Sequence, residues 1–166
     1  MSVIEKTYPI AEKLIANALE LTQQLQLQLE QEAENLKTGQ QPSVIDAIAA
    51  NKKKLVTELE QFNSQLSQVL GTESLANTQQ GLEEYFQRAA ITGLDVNQTK
   101  QNWSQLMIIC AQCRTLNDQN GAGIDLLSRH SKRALHILKG KPEFTNTYGP
   151  DGARRSDSIT HTLISV

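Results

Sequence analysis

Ile45, Ile48, Lys52, Leu55, Leu59, Phe62, Leu66 and Val69 follow one another at steps of 3, 4, 3, 4, 3, 4 and 3. That spacing places eight side chains on one face of an α-helix and repeats every seven residues, the pattern of a coiled-coil seam. A strand would alternate every two residues instead. The stretch therefore predicts a helix over about 43–70 whose stripe other helices must cover. Lys52 is the one polar member, and its stem is expected to lie along the seam with its ammonium in water. Ser43-Val44-Ile45-Asp46 reads as a capping box at the start, and Gly71 as the stop.

The flanking segments carry related patterns. Upstream, Leu14, Ala18, Leu21, Leu25, Leu29, Ala33 and Leu36 recur at steps of three and four, predicting a helix over about 4–37 with Pro9 in its first turn or at a kink near its start. LQLQLEQE alternates like a strand, but helical spacing continues on both sides of it. Gly39-Gln40-Gln41-Pro42 breaks the chain, and so short a connection favours an antiparallel hairpin. Downstream, Trp103, Leu106, Cys110, Cys113, Asn117, Asn120, Ile124, Leu127, Ser131, Ala134 and Leu138 keep the 3-4 rhythm without exception. The phase survives Asn120-Gly121 and Gly123, where a loop would have no reason to keep it. One long helix over about 96–139 is predicted, at a cost of about 1 kcal/mol for each interior glycine. Between the second and third long helices, 71–95 reads as a connector with a short helix at Leu82–Ala90, Tyr85 and Phe86 facing inward.

The predicted fold is all-α: three long helices in an antiparallel coiled-coil-like bundle, a short connector helix, and a flexible C-terminal tail. A chain of 166 residues supports one core, here over residues 1–139. Residues 140–166 follow Gly140-Lys141-Pro142, are rich in Ser, Thr, Gly and charge, and are expected to be mobile. The aromatic content of 4% argues for helices over sheets. A net charge of −2 offers no basic face for nucleic acid. No apolar run is long enough to span a membrane, and MSVIEKTYPIAEK has no basic region leading into an apolar one. A cytoplasmic protein with reduced Cys110 and Cys113 is expected.

Signals for chemistry are weak. Cys110-x-x-Cys113 lacks a second pair and a nearby His at zinc spacing, and both thiols fall on the seam, where Cys acts as a small hydrophobe. Gly121-Ala122-Gly123 begins a G-x-G, but no strand precedes it and Leu126 occupies the third glycine position. Arg129, Lys132 and Arg133 suit the negative end of a helix. His136-x-Leu138-Lys139-Gly140 resembles the phosphoacceptor signature of histidine phosphotransfer domains. In those domains further helix follows the histidine, whereas here Pro142 stops it. That reading, with His136 as phosphoacceptor, stays as an alternative, as does a plain coiled-coil assembly module.

A broader resemblance runs from Trp103 to Gly152. Trp103-x-x-Leu106, Cys110, Asn117-x-x-Asn120-Gly121 with Ile124, Arg133, Leu135 and Leu138 downstream, and then Tyr148-Gly149-Pro150-Asp151-Gly152 resemble the flagellar export chaperone FlgN family. Lys54-Leu55 in the second helix is compatible. Gly123 departs from the pattern, standing where an aliphatic residue is expected. The resemblance implies a cytosolic chaperone that is not an enzyme and uses no cofactor, metal or small-molecule substrate. It would bind the C-terminal segments of the hook-associated proteins FlgK and FlgL, keep them unassembled, and bring them to the export gate, whose membrane component is FlhA. The seams leave its oligomeric state open.

Two partner-binding regions are expected. Asn117, Asn120, Gly121 and Gly123, continued by Ile124 and Leu127, form a small polar notch where another backbone approaches or the helix hinges. The competing reading is that a buried Asn on the seam fixes register at some cost in stability. In the tail, Phe144 and Tyr148 are expected to insert into a partner pocket; otherwise the tail is a leftover whose aromatics fold back on the bundle.

Overall fold

A computed structural model of the protein describes residues 1–39 and 41–139, with side chains given as far as Gly121. Every described element is a helix: α1 (Val3–Thr38), α2 (Pro42–Gly71), α3 (Gln79–Ile91) and α4 (Asn97–Lys139). The expected tail lies outside the described residues.

α1 starts on a capping box, with the Ser2 hydroxyl accepting from the Glu5 N–H and the Glu5 carboxylate reaching back to the Ser2 backbone. Pro9 falls in its second turn, inside a continuous helix. Gly39 closes it in the left-handed conformation at φ +65°, donating its N–H to the Asn35 carbonyl. The buried seam of α1 is Ile4, Tyr8, Ala11, Ile15, Ala18, Thr22, Leu25, Leu29 and Glu32. Its steps are an unbroken 4-3-4-3, and two members are polar. This corrects the sequence reading, in which Leu14, Leu21, Ala33 and Leu36 belonged to the stripe; all four are only half-buried. The apparent pattern followed hydrophobicity and drifted in phase, because Thr22 and Glu32 occupy true seam positions.

α2 corrects the reading at two further points. Its N-cap is Gln41, with Pro42 in the first turn and no side-chain cap, so Ser43 to Asp46 form no capping box. Proline at this point removes one of the donors a cap would otherwise satisfy. The ammonium of Lys52 meets Glu32 rather than ending in water. Of the seam read from the spacing, Ile48, Leu55, Leu59, Phe62, Leu66 and Val69 are buried, while Ile45 and Lys52 are half-buried.

The connector turns on tight chemistry. A Cβ at Gly81 would stand 2.0 Å from the Ala76 carbonyl oxygen, so only glycine fits there. Thr78 caps α3, its hydroxyl accepting from the Gly81 N–H at 3.0 Å. Tyr85 and Phe86 face inward. The Tyr85 hydroxyl bonds Thr7 at 2.9 Å, and Trp103 donates to the Gln79 side chain at 3.2 Å. α3 thereby ties the start of α1 to the start of α4.

α4 then runs parallel to α1 and antiparallel to α2. Three contacts fix this. Tyr8 donates to Thr99 at 2.9 Å, the Cys113 thiol to the Thr22 carbonyl at 3.7 Å, and Asn120 to the Leu29 carbonyl at 2.9 Å. In each the two residues are 91 apart in sequence. The pairs recur at multiples of seven, so α1 and α4 stay in register as in a coiled coil. α1 is the central helix; among the described residues α2 and α4 both pack on it, and their backbones come close to each other at few points. Fully buried leucines such as Leu25, Leu29, Leu66 and Leu106 each contribute about 2 kcal/mol of apolar burial.

Candidate partner-binding face

One polar seam member from each long helix, Glu32, Lys52 and Asn120, meets the others at one level of the bundle. Glu32 is 1% exposed. Its two carboxylate oxygens accept from the Lys52 ammonium at 2.9 and 3.0 Å. The amide nitrogen of Asn120, itself buried, donates to Glu32 Oε1 at 3.0 Å and to the Leu29 carbonyl at 2.9 Å. One carboxylate thus joins α1, α2 and α4. A buried charge is tolerable only when paired and hydrogen-bonded, and a shift of any helix by one turn would undo the pairing. The structure therefore favours the register reading for Asn120.

Asn117 lies one turn before it, half-buried. It borders an open groove of about 420 Å³ whose floor is Leu25 and Leu29 and whose other wall is α2, with Ala49, Lys52, Lys53, Val56, Thr57 and Glu60. The groove exists because α2 and α4 both lean on α1 without closing over it. Sequence reasoning found Asn117 but not the wall opposite. The signal available was the single charged member on each of two facing seams, Glu32 and Lys52.

The two glycines leave room beside the helix. At Gly121, which is exposed, a Cβ would have nothing within 4 Å. At Gly123 it would lie 3.6 Å from Leu36 Cδ1, an ordinary contact. Among the described residues no other backbone crowds either position. The helix continues through both to Lys139. Ile124 and Leu127 follow on its backbone, their side chains outside the described ones, and Phe144 and Tyr148 lie outside the described residues altogether. The structure thus places Asn117 at the groove and Asn120 buried one turn further on, with the two glycines just beyond.

The cysteines sit deep on the α4 seam. Burial pushes the Cys110 thiol up to about 12, with Cys113 adding to it, and the Cys113 thiol up to about 11, with Glu30 adding to it. Both are held as neutral thiols and pack as small apolar groups. Among the described residues no cluster of His, Cys, Asp or Glu could hold a metal, and no helix is long and apolar enough to cross a membrane.

The described residues thus form a helical bundle with one hydrophobic core and a buried carboxylate that ties its three long helices together. A family model described as FlgN protein matches residues 10–156. The chain belongs to the FlgN family and is a flagellar export chaperone. No curated protein and no solved structure matches it.

Proposed function

We propose that this chaperone works in the cytoplasm, without enzymatic activity, on the C-terminal segments of the hook-associated proteins FlgK and FlgL. It keeps them unassembled and hands them to FlhA at the export gate. The observation that carries this reading is the family match over residues 10–156. The partner meets α4 around Asn117, Gly121, Gly123, Ile124 and Leu127, with Asn120 positioning that stretch from beneath. Phe144 and Tyr148 add a second contact. An amphipathic helix laid against an open groove of a bundle is a known mode of recognition, and the gap between α2 and α4 supports it here.

Co-purification of the full chain with C-terminal segments of FlgK-type and FlgL-type subunits tests the first part. Retention of both segments is expected, and failure of both would overturn it. Binding to the cytoplasmic domain of FlhA, measured separately for Phe144→Ala and Tyr148→Ala, tests the second part. Unchanged affinity for client and gate in both variants would remove the tail from the site. Phosphorylation at His136 by a phosphorylated receiver domain, lost in His136→Gln, would favour phosphotransfer instead. Stable self-association at low concentration without a client would favour a plain assembly module.

A further inference from the structure

We infer that the α2 lip of the groove selects its occupant by charge. Lys53 and Glu60 receive a partner helix that carries an acidic and a basic side chain seven residues apart, laid in the one direction that sets the acid against Lys53 and the base against Glu60. The inference rests on the reading that a client helix occupies this groove, and adds what that helix must carry. The α2 wall is a second stripe of the helix, beside its buried seam: Ala49, Lys53, Val56 and Glu60 line the groove and recur at steps of 4, 3 and 4. That spacing is one helical face. Val56 is half-buried, whereas Lys53 and Glu60 stand exposed at the rim. The floor is Leu25 and Leu29, and the facing wall offers the neutral amide of Asn117. An occupant therefore meets apolar surface below it and a cation followed by an anion along one edge.

Three charged groups line the groove, and Lys52 is already committed to Glu32 at 2.9 Å. Lys53 and Glu60 have no ion-pair partner among the described residues. They are separated by roughly 10 Å along the helix axis, the interval at which charges flanking a coiled-coil seam repeat. Such flanking charges set partner choice and direction more than they add affinity. A helix laid the wrong way round brings its acid to Glu60 and its base to Lys53, and two like-charge contacts reject it. For an occupant parallel to α2 the acid precedes the base; for an antiparallel one the base comes first. An apolar side chain between the two meets Val56. A second copy of α2 laid antiparallel also sets Lys53 against Glu60, but its stripe brings only Val56 and Ala49 as apolar surface, too little for the core of a stable interface.

Exchanging the two charges in the full chain, Lys53→Glu/Glu60→Lys, tests the inference, because the variant keeps the net charge and reverses only the polarity of the lip. Both side chains are exposed, so the melting temperature should stay level. Calorimetric binding of C-terminal segments of FlgK-type and FlgL-type subunits is the readout. Affinity for each segment that the unaltered chain binds is expected to fall about tenfold, with a smaller loss at high salt. Lys13→Glu/Glu20→Lys, the same exchange over the same interval at exposed positions of α1, should leave affinity unchanged. Unchanged affinity in the lip variant would overturn the inference and leave the client reading standing, and so would an equal loss in the α1 control. Failure of the unaltered chain to bind either segment would overturn the client reading and this inference with it. Sedimentation covers the second copy: a dimer that Lys53→Glu alone dissociates and the double exchange preserves would assign the groove to that copy and overturn the inference.

Discussion

The carboxylate of Glu32, on the central helix, is held 2.9 Å from the ammonium of Lys52 on the neighbouring helix, with only 2% of its side chain exposed. The pair sits where a coiled-coil seam would ordinarily place two leucines. Its consequence is specificity of register rather than raw stability, because apolar residues in the same places would pack at no desolvation cost.

Removing one partner should therefore hurt more than removing both. Lys52→Met leaves Glu32 buried without its cation and is expected to cost about 3 kcal/mol. Glu32→Leu combined with Lys52→Met should regain most of that loss. Urea unfolding of the two single variants and the double variant gives the coupling directly. Additive losses would show that the two groups do not interact.

Asn120 and Asn117 are separated by one turn and differ in burial. Asn120→Ala abandons the Leu29 carbonyl and one hydrogen bond to Glu32, so about 2 kcal/mol should be lost. Asn117→Ala, at the edge of the groove, should change stability by no more than about 0.5 kcal/mol. Paired denaturation curves check the contrast.

Raised thiol values make the fold sensitive to alkali. Cys110 and Cys113 ionise near 9 when unfolded and at about 12 and about 11 when folded. The native state holds their protons while the unfolded state releases them. Stability from this source is complete below pH 9 and falls as pH climbs from about 9 towards 12. Burial shifts Tyr8 and Tyr85 in the same direction. Melting temperature should decline above pH 9, more steeply than in a Cys110→Ala/Cys113→Ala variant. Iodoacetamide at pH 8 should label neither thiol until the chain is unfolded.

Gly81 is the reverse of Gly121. A Cβ at Gly81 collides with the Ala76 carbonyl, and backbone cannot swing aside as the end of a side chain can. Gly81→Ala is expected to cost about 2 kcal/mol or more, whereas Gly121→Ala should raise stability or leave it level. Opposite signs in thermal melts would bear this out.

Much of the bundle is legible in the chain. The α2 stripe from Ile48 to Val69 and the α4 stripe from Trp103 to Cys113 are buried where their spacing puts them, since a seven-residue repeat admits one helical face and no strand. Tyr85 and Phe86 also turn inward from a short connector helix, as their bulk in a polar segment suggests. The phase of α1 was legible only in part. Thr22 and Glu32 belong to its seam, but a polar side chain looks buried only when its partner is known. Thr22 meets that need inside α1, its hydroxyl donating to the Leu19 carbonyl, whereas the partners of Glu32 stand 20 residues away on α2 and 88 away on α4.

The sequence by itself thus determined that the chain is helical, where its long helices lie, and that they share seams of one period. Periodicity is a local property, written within a few turns, and needs no knowledge of neighbours. Only the tertiary structure decided that α1 is the central helix, that α4 runs beside it at a fixed offset, and that Glu32, Lys52 and Asn120 meet. A charge can be buried only where three separate segments bring it a cation and an amide together, and no single helix holds that information.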